Sequence, residues 1–186
     1  NYKINKKIAQ EINKNFLEVI LAKGFDKTSL EILKRKKSLR IIDIANFKLK
    51  NLTSVKSFDG SFLLQTKDRV VIDKKKLKCV TKLKPNKKEI AEIQFAVNIC
   101  KHVKSNAIVL CNNFTTIGIG AGQPSRLDSC YIAVQKAKKF QSSKIKNSIA
   151  ASDAFFPFAD GVKILIKAGV KIIVQPGGSI RDQEVI

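Results

Sequence analysis

Three stretches of the sequence carry residue types that could do chemistry. The first runs Ile117-Gly118-Ile119-Gly120-Ala121-Gly122-Gln123-Pro124-Ser125-Arg126 and leads toward Cys130. Its glycines are spaced G-x-G-x-G. That is neither the G-x-G-x-x-G of a dinucleotide fold nor the G-x-x-x-x-G-K-[ST] of a triphosphate loop. Glycines this dense mark a backbone that passes close to something, because glycine has no side chain in the way and reaches positive φ. Pro124 and Ser125 read as a helix start, with Asp128 three residues on. Amides at such a start favour a negative or polar oxygen, and Arg126 could add a fork of donors. A tight structural turn with a surface arginine is the alternative reading.

The second stretch, Lys104-Ser105-Asn106-Ala107, leads into a buried strand, and Asn106 has donors and an acceptor to place. The third, Ser152 to Asp160, sets Phe155, Phe156 and Phe158 beside Asp153 and Asp160 at a strand-to-helix crossing. Such a cluster is either core or the wall of a pocket for a flat heteroaromatic ligand. Asp160 also has a plain role as helix N-cap. The lone histidine, His102, closes a helix, where it suits the C-terminal dipole. With no second histidine and no C-x-x-C pair among Cys79, Cys100, Cys111 and Cys130, no metal site is expected.

The elements that position these stretches follow from periodicity. Ile4 to Phe16 reads as a helix with Ile8, Ile12 and Phe16 on one stripe, and Leu17 to Ala22 as a strand. Asp26 caps a helix to Lys37, and Leu39 to Ile44 is a buried strand. Lys48 to Lys56 has no clear pattern. Phe58-Asp59-Gly60-Ser61 turns into a strand, Phe62 to Gln65. Lys67 to Lys76 is a charged connector, and Leu77 to Thr81 a strand. Asn86 and Glu89 form a capping box before a helix lined by Ile90, Ile93, Val97 and Cys100. Strands at Asn106–Leu110, Thr115–Ile119, Ser148–Ala151 and Lys171–Val174 alternate with helices at Ser125–Phe140 and Asp160–Ala168. The alternation implies an α/β fold, a layered sheet with helices. Cys100 and Cys130 fall on apolar helix faces and read as core.

The chain of 186 residues opens on Asn1 and stops mid-pattern, which reads as a piece of a longer protein. Its net charge of +21 raises an anionic partner, or a lysine-rich solvated surface. The basic runs, Arg35-Lys36-Lys37 and Lys74-Lys75-Lys76, lack the interleaved aromatics of single-strand binders. A basic nucleic-acid-binding module and a non-catalytic scaffold are the alternative functions. No apolar run approaches the ~20 residues of a membrane span. A reduced, cytoplasmic protein without membrane contact is expected.

Taken together, Lys101–Val109, Gly118–Arg126, Ala151–Phe158 and Gln175–Asp182 resemble, in order, the AICAR transformylase domain that accompanies IMP cyclohydrolase in purine biosynthesis. Weaker similarity takes in Phe16–Ile20, Val80-Thr81 and Phe95-Ala96. The resemblance implies transfer of a formyl group from 10-formyltetrahydrofolate, a co-substrate, to the 5-amino group of AICAR, giving FAICAR. It implies a catalytic Asn106 near the reacting amine. Glu18, Arg126, the backbone around Leu127, and Phe155 would meet the nucleotide. Pro157, Phe158 and Asp160 would form the folate pocket. It further implies a homodimer, no catalytic metal, no nucleic-acid partner, and units resembling a cytidine-deaminase-like fold without zinc. Residues 1–76 would be a partial first lobe with the connector, and 77–186 the second lobe. The family's Lys-His pair finds no counterpart in the N-terminal part; Lys23, Ser61 and Pro124 depart from the family's usual residues. The expectation is a chain that carries part of the pocket and does not turn over alone.

Overall fold

The computed structural model describes residues 2–48, 53–66 and 72–186. The chain divides into two compact units, Asn1–Asp68 and Arg69–Ile186.

In the first unit, α1 (Lys6–Asn13) and α2 (Lys27–Lys34) accompany two parallel strands, β1 (Val19–Ala22) and β2 (Arg40–Asp43). Asn5 and Asp26 cap the helices by accepting from Ile8 N and Ser29 N. The core is small: Ile4, Ala9, Ile20, Ala22, Leu33 and Leu39. Of the stripe expected of the first helix, only Ile12 packs against this core. Ile8 and Phe16 are exposed, and the fully buried residue is Ala9. The helix ends at Asn13, so Phe16 lies beyond it. β3 (Thr53–Phe58) and β4 (Ser61–Thr66) form an antiparallel hairpin closed by Asp59-Gly60. Its apolar side chains Val55, Phe58, Phe62 and Leu64 are exposed.

Between the units, residues 67–71 of the expected connector lie outside the described residues, and Lys74–Lys76 is a short 3-10 turn. The strand expected at Leu77–Thr81 is absent. Leu77 packs against the core but the segment has no strand partner, and Val80 is exposed.

The second unit is a three-layer α/β arrangement. Its sheet runs in the order β6 (Thr115–Gly120), β5 (Ile108–Asn112), β7 (Ile149–Ser152), β8 (Ile172–Val174). β5 is antiparallel to β6 and β7, and β7 is parallel to β8. α3 (Lys87–Cys100), entered through the Asn86–Glu89 capping box, covers one face. α4 (Arg126–Gln141) and α5 (Ala159–Ala168) cover the other. Alternation along β5 serves both layers: Ile108 and Leu110 pack toward α4 and α5, Val109 and Cys111 toward α3. A strand buried on both faces therefore reads as an unbroken apolar run. A last short helix, α6 (Asp182–Val185), packs near α5. Cys100, Cys111 and Cys130 are buried, and burial pushes each thiol up to about 12, so they act as core and not as nucleophiles.

Candidate functional site

Sheet register brings the three chemically suggestive stretches to one edge. Ile108 pairs with Gly120 on β6 and with Ser152 on β7. Because β5 runs antiparallel to both, the residues just before β5 meet those just after β6 and β7. Asn106, the Pro124–Leu127 turn and the segment from Ala154 to Asp160 thus converge on a cavity of ≈ 460 Å³. Among its lining residues are Asn106, Arg126, Leu127, Phe155, Pro157, Phe158 and Asp160. The remaining sequence candidate, Glu18, belongs to the other unit, exposed and just before β1, where its carbonyl accepts from Arg40 N.

The glycines of the first stretch have a packing cause. A Cβ on Gly118 would stand 2.1 Å from the carbonyl oxygen of Ala133, and one on Gly120 would stand 1.9 Å from that of Ser129. The close neighbour of this backbone is α4 itself. Gly122 differs: its φ is +68°, and its amide donates to the Lys104 carbonyl at 2.8 Å. The helix start is also closed from within, since Ser125 Oγ accepts from Leu127 N. Asp128 makes no cap.

Arg126 turns inward, away from the surface position that the alternative reading gave it. Its Nη1 donates to Asp153 Oδ1 at 2.5 Å and to Ser152 Oγ at 3.0 Å; its Nη2 donates to Asn106 Oδ1 at 2.9 Å. The Arg126 and Asp153 side chains are 9% and 17% exposed. Asn106 is fixed in turn, because its Nδ2 donates to the Gln123 and Pro124 carbonyls. Both amide hydrogens are thereby committed, and the capacity left on the side chain is a lone pair of Oδ1.

Asp153 is the hub that sequence reasoning did not single out. It accepts from Ser105 Oγ, from Ala107 N at 2.9 Å, and from Arg126. Burial opposes its ionisation, but the bonds from Ser105, Ala107 and Arg126 and the Arg126 charge prevail, holding its carboxyl below the ordinary value. The available signal was a carboxylate placed between a buried strand and an aromatic run.

The opposite wall is aromatic. Phe156 is buried, with its amide donating to Gln175 Oε1 at 2.6 Å, whereas Phe155 and Phe158 are exposed to the cavity side of solvent. Asp160 is not the helix cap: Phe158 holds that position without a side-chain bond, and Asp160 Oδ1 accepts from Gly161 N within the first turn. Among the described residues no group of three His, Cys, Asp or Glu could hold a metal ion, and no helix is long and apolar enough to cross a membrane.

Comparison with known proteins gives a consistent kinship. The family model described as AICARFT/IMPCHase bienzyme matches residues 1–136. The chain is 44% identical over 186 residues to the bifunctional purine biosynthesis protein PurH of Aquifex aeolicus, covering 100% of this chain and 36% of that protein. It is 46% identical over 195 residues to PurH of Bartonella bacilliformis, again 100% of this chain and 36% of the relative. Against PurH of Nostoc punctiforme it is 42% identical over 186 residues. The chain thus spans about a third of the length of these relatives, and the aromatic wall lies within the relatives' match but beyond the family model's.

Proposed function

This chain belongs to the AICARFT/IMPCHase bienzyme family, and from that premise we propose that its cavity is part of a formyltransferase site, in purine biosynthesis, that transfers the formyl group of 10-formyltetrahydrofolate to AICAR. The observation that carries the reading is the convergence of Asn106, Arg126 and the Phe155–Asp160 segment on one cavity from three separate stretches of chain.

In the reaction, the 5-amino nitrogen of AICAR attacks the formyl carbon, the bond from that carbon to N10 of the folate breaks, and a proton passes in net from the amine to N10, leaving tetrahydrofolate and FAICAR. The amine is conjugated to the imidazole carboxamide and is a poor nucleophile, so orientation counts heavily. With its Nδ2 hydrogens committed to two carbonyls, Asn106 acts as an acceptor: Oδ1 takes an N–H of the substrate and sets the amine's approach. Arg126 works through Asn106 as a positioning residue, since its donors point to Asp153, Ser152 and Asn106. The half-exposed rings of Phe155 and Phe158 supply apolar walls for the flat imidazole and pterin groups, with Pro157 shaping the folate side and Asp160 placed to accept from the pterin edge. The second unit is read as a cytidine-deaminase-like lobe, and Glu18 as a residue that contacts AICAR. A homodimer in the cytoplasm completes the reading.

Calorimetric titration of the chain with AICAR monophosphate, at moderate salt, tests it. Saturable binding that is lost in Asn106→Ala is expected. Absence of binding in the unaltered chain, or binding indifferent to Asn106→Ala, would remove the assignment.

A further inference from the structure

We propose that Arg181 reads the anionic tail of the folate co-substrate, and so makes the site prefer folates with free carboxylates; this rests on the folate reading above. The Arg181 guanidinium lies 5.0 Å from the centroid of the Phe158 ring, one of the walls of the cavity. The loop that delivers it is tied down at two points. Gln175 Oε1 accepts from Phe156 N at 2.6 Å, and Asp182 Oδ2 accepts from Gly178 N at 2.7 Å. Arg181 is therefore held against the aromatic wall by a loop that is itself bonded to that wall.

The charge of Arg181 is only loosely engaged. Among the described residues it pairs with Glu184, whose Oε2 stands 3.9 Å from Nη1, with the two side chains 53% and 62% exposed. A guanidinium already held over a ring loses less freedom when it takes up a carboxylate than one extended into solvent. A reduced folate has its pterin at one end and a glutamate with two carboxylates at the other. A pterin whose edge meets Asp160 leads its p-aminobenzoyl ring along Phe158, and the glutamate beyond it comes to the side of that ring over which Arg181 lies.

The test compares two probes by calorimetry: 5-formyltetrahydrofolate, and its bis-amide, in which both glutamate carboxylates are carboxamides. The chain is expected to bind the free acid about fivefold more tightly than the bis-amide at low salt, an advantage that shrinks as salt screens it. Arg181→Ala removes the advantage of the free acid over the bis-amide, Arg181→Lys restores part of it, and Arg181→Glu reverses it. Equal binding of both probes by the unaltered chain, or a preference that survives Arg181→Ala, overturns the role of Arg181 while leaving the folate site standing. Binding of neither probe removes the folate reading and this inference with it.

Discussion

On one wall of the cavity stands Arg126, bonded at 2.5 Å to Asp153 behind it, and the two side chains are 9% and 17% exposed. On the other, Phe155 and Phe158 are 41% and 50% exposed. The polar wall has its charges paired and its amide oriented before any ligand arrives, so little ordering remains to be paid on binding. The aromatic wall keeps apolar area in water that a flat ligand would cover. Geometry is stored on the first wall and hydrophobic driving force on the second. Mutations on the polar wall should therefore cost stability and binding together, whereas mutations on the exposed aromatics should cost binding alone.

The largest expected effect lies beneath the polar wall. Gly120→Ala would put a Cβ 1.9 Å from the Ser129 carbonyl oxygen, a distance only backbone movement can relieve. It should destabilise the chain by about 4 kcal/mol or more, read by urea denaturation. Gly122→Ala makes a control two residues away. There the nearest heavy atom is Lys104 Cγ at 3.6 Å, and the cost is the strain of a positive φ, about 1 kcal/mol. Similar losses at both positions would break the account of α4 as the close neighbour.

Phe155 and Phe156 sharpen the contrast within one wall, as adjacent residues of the same type. Phe156 is 1% exposed and packs in the core of the second unit. Phe156→Ala should cost about 3–4 kcal/mol. Phe155→Ala should change stability by less than about 1 kcal/mol but weaken AICAR monophosphate binding by about tenfold. If Phe155→Ala unfolds the protein and binding follows stability, the aromatic wall is core and not a ligand surface.

These same residues show what the sequence could disclose. Signals that act locally were legible: the Asn86–Glu89 capping box, the Asp26 and Ser125 caps, and the unbroken apolar run of β5 are all present. Two adjacent phenylalanines cannot announce which of them turns inward, because that depends on how β7 hands over to α5. Glycine spacing disclosed a close approach, but the neighbour was a helix packed across the sheet, known only once β6 and α4 are docked. Asp153 was visible as a carboxylate beside the aromatics, but not as a hub, because its three partners Ser105, Ala107 and Arg126 are far away in the chain. The β3 strand gave no alternating pattern because most of its side chains on both faces are exposed. Leu77–Thr81 had strand composition without a strand to pair with. The gathering of the site candidates came from ordered motifs resembling a family, since no periodicity points from Asn106 to Asp160.

The polar wall makes its last and smallest claim through pH. Asp153→Ala leaves Arg126 largely buried without its carboxylate, and should cost about 2–3 kcal/mol together with AICAR binding. Asp153→Asn keeps the shape and removes the charge, which isolates the titration. The carboxyl of Asp153 is held below its ordinary value of 3.8. Its ionised form therefore contributes stability that is fully present above the ordinary value and is lost as pH falls through the lower, folded value. Glu89, lowered first by its bond from Lys171 and then by the Asn86 amide, changes in the same direction, but equally in both proteins. The stability gap between the unaltered chain and Asp153→Asn should thus be constant from about pH 7 to about pH 5 and narrow below about pH 4. A gap independent of pH down to about pH 2 would mean that Asp153 holds the wall by shape and hydrogen bonding alone, and the Arg126 charge would then have to be balanced elsewhere.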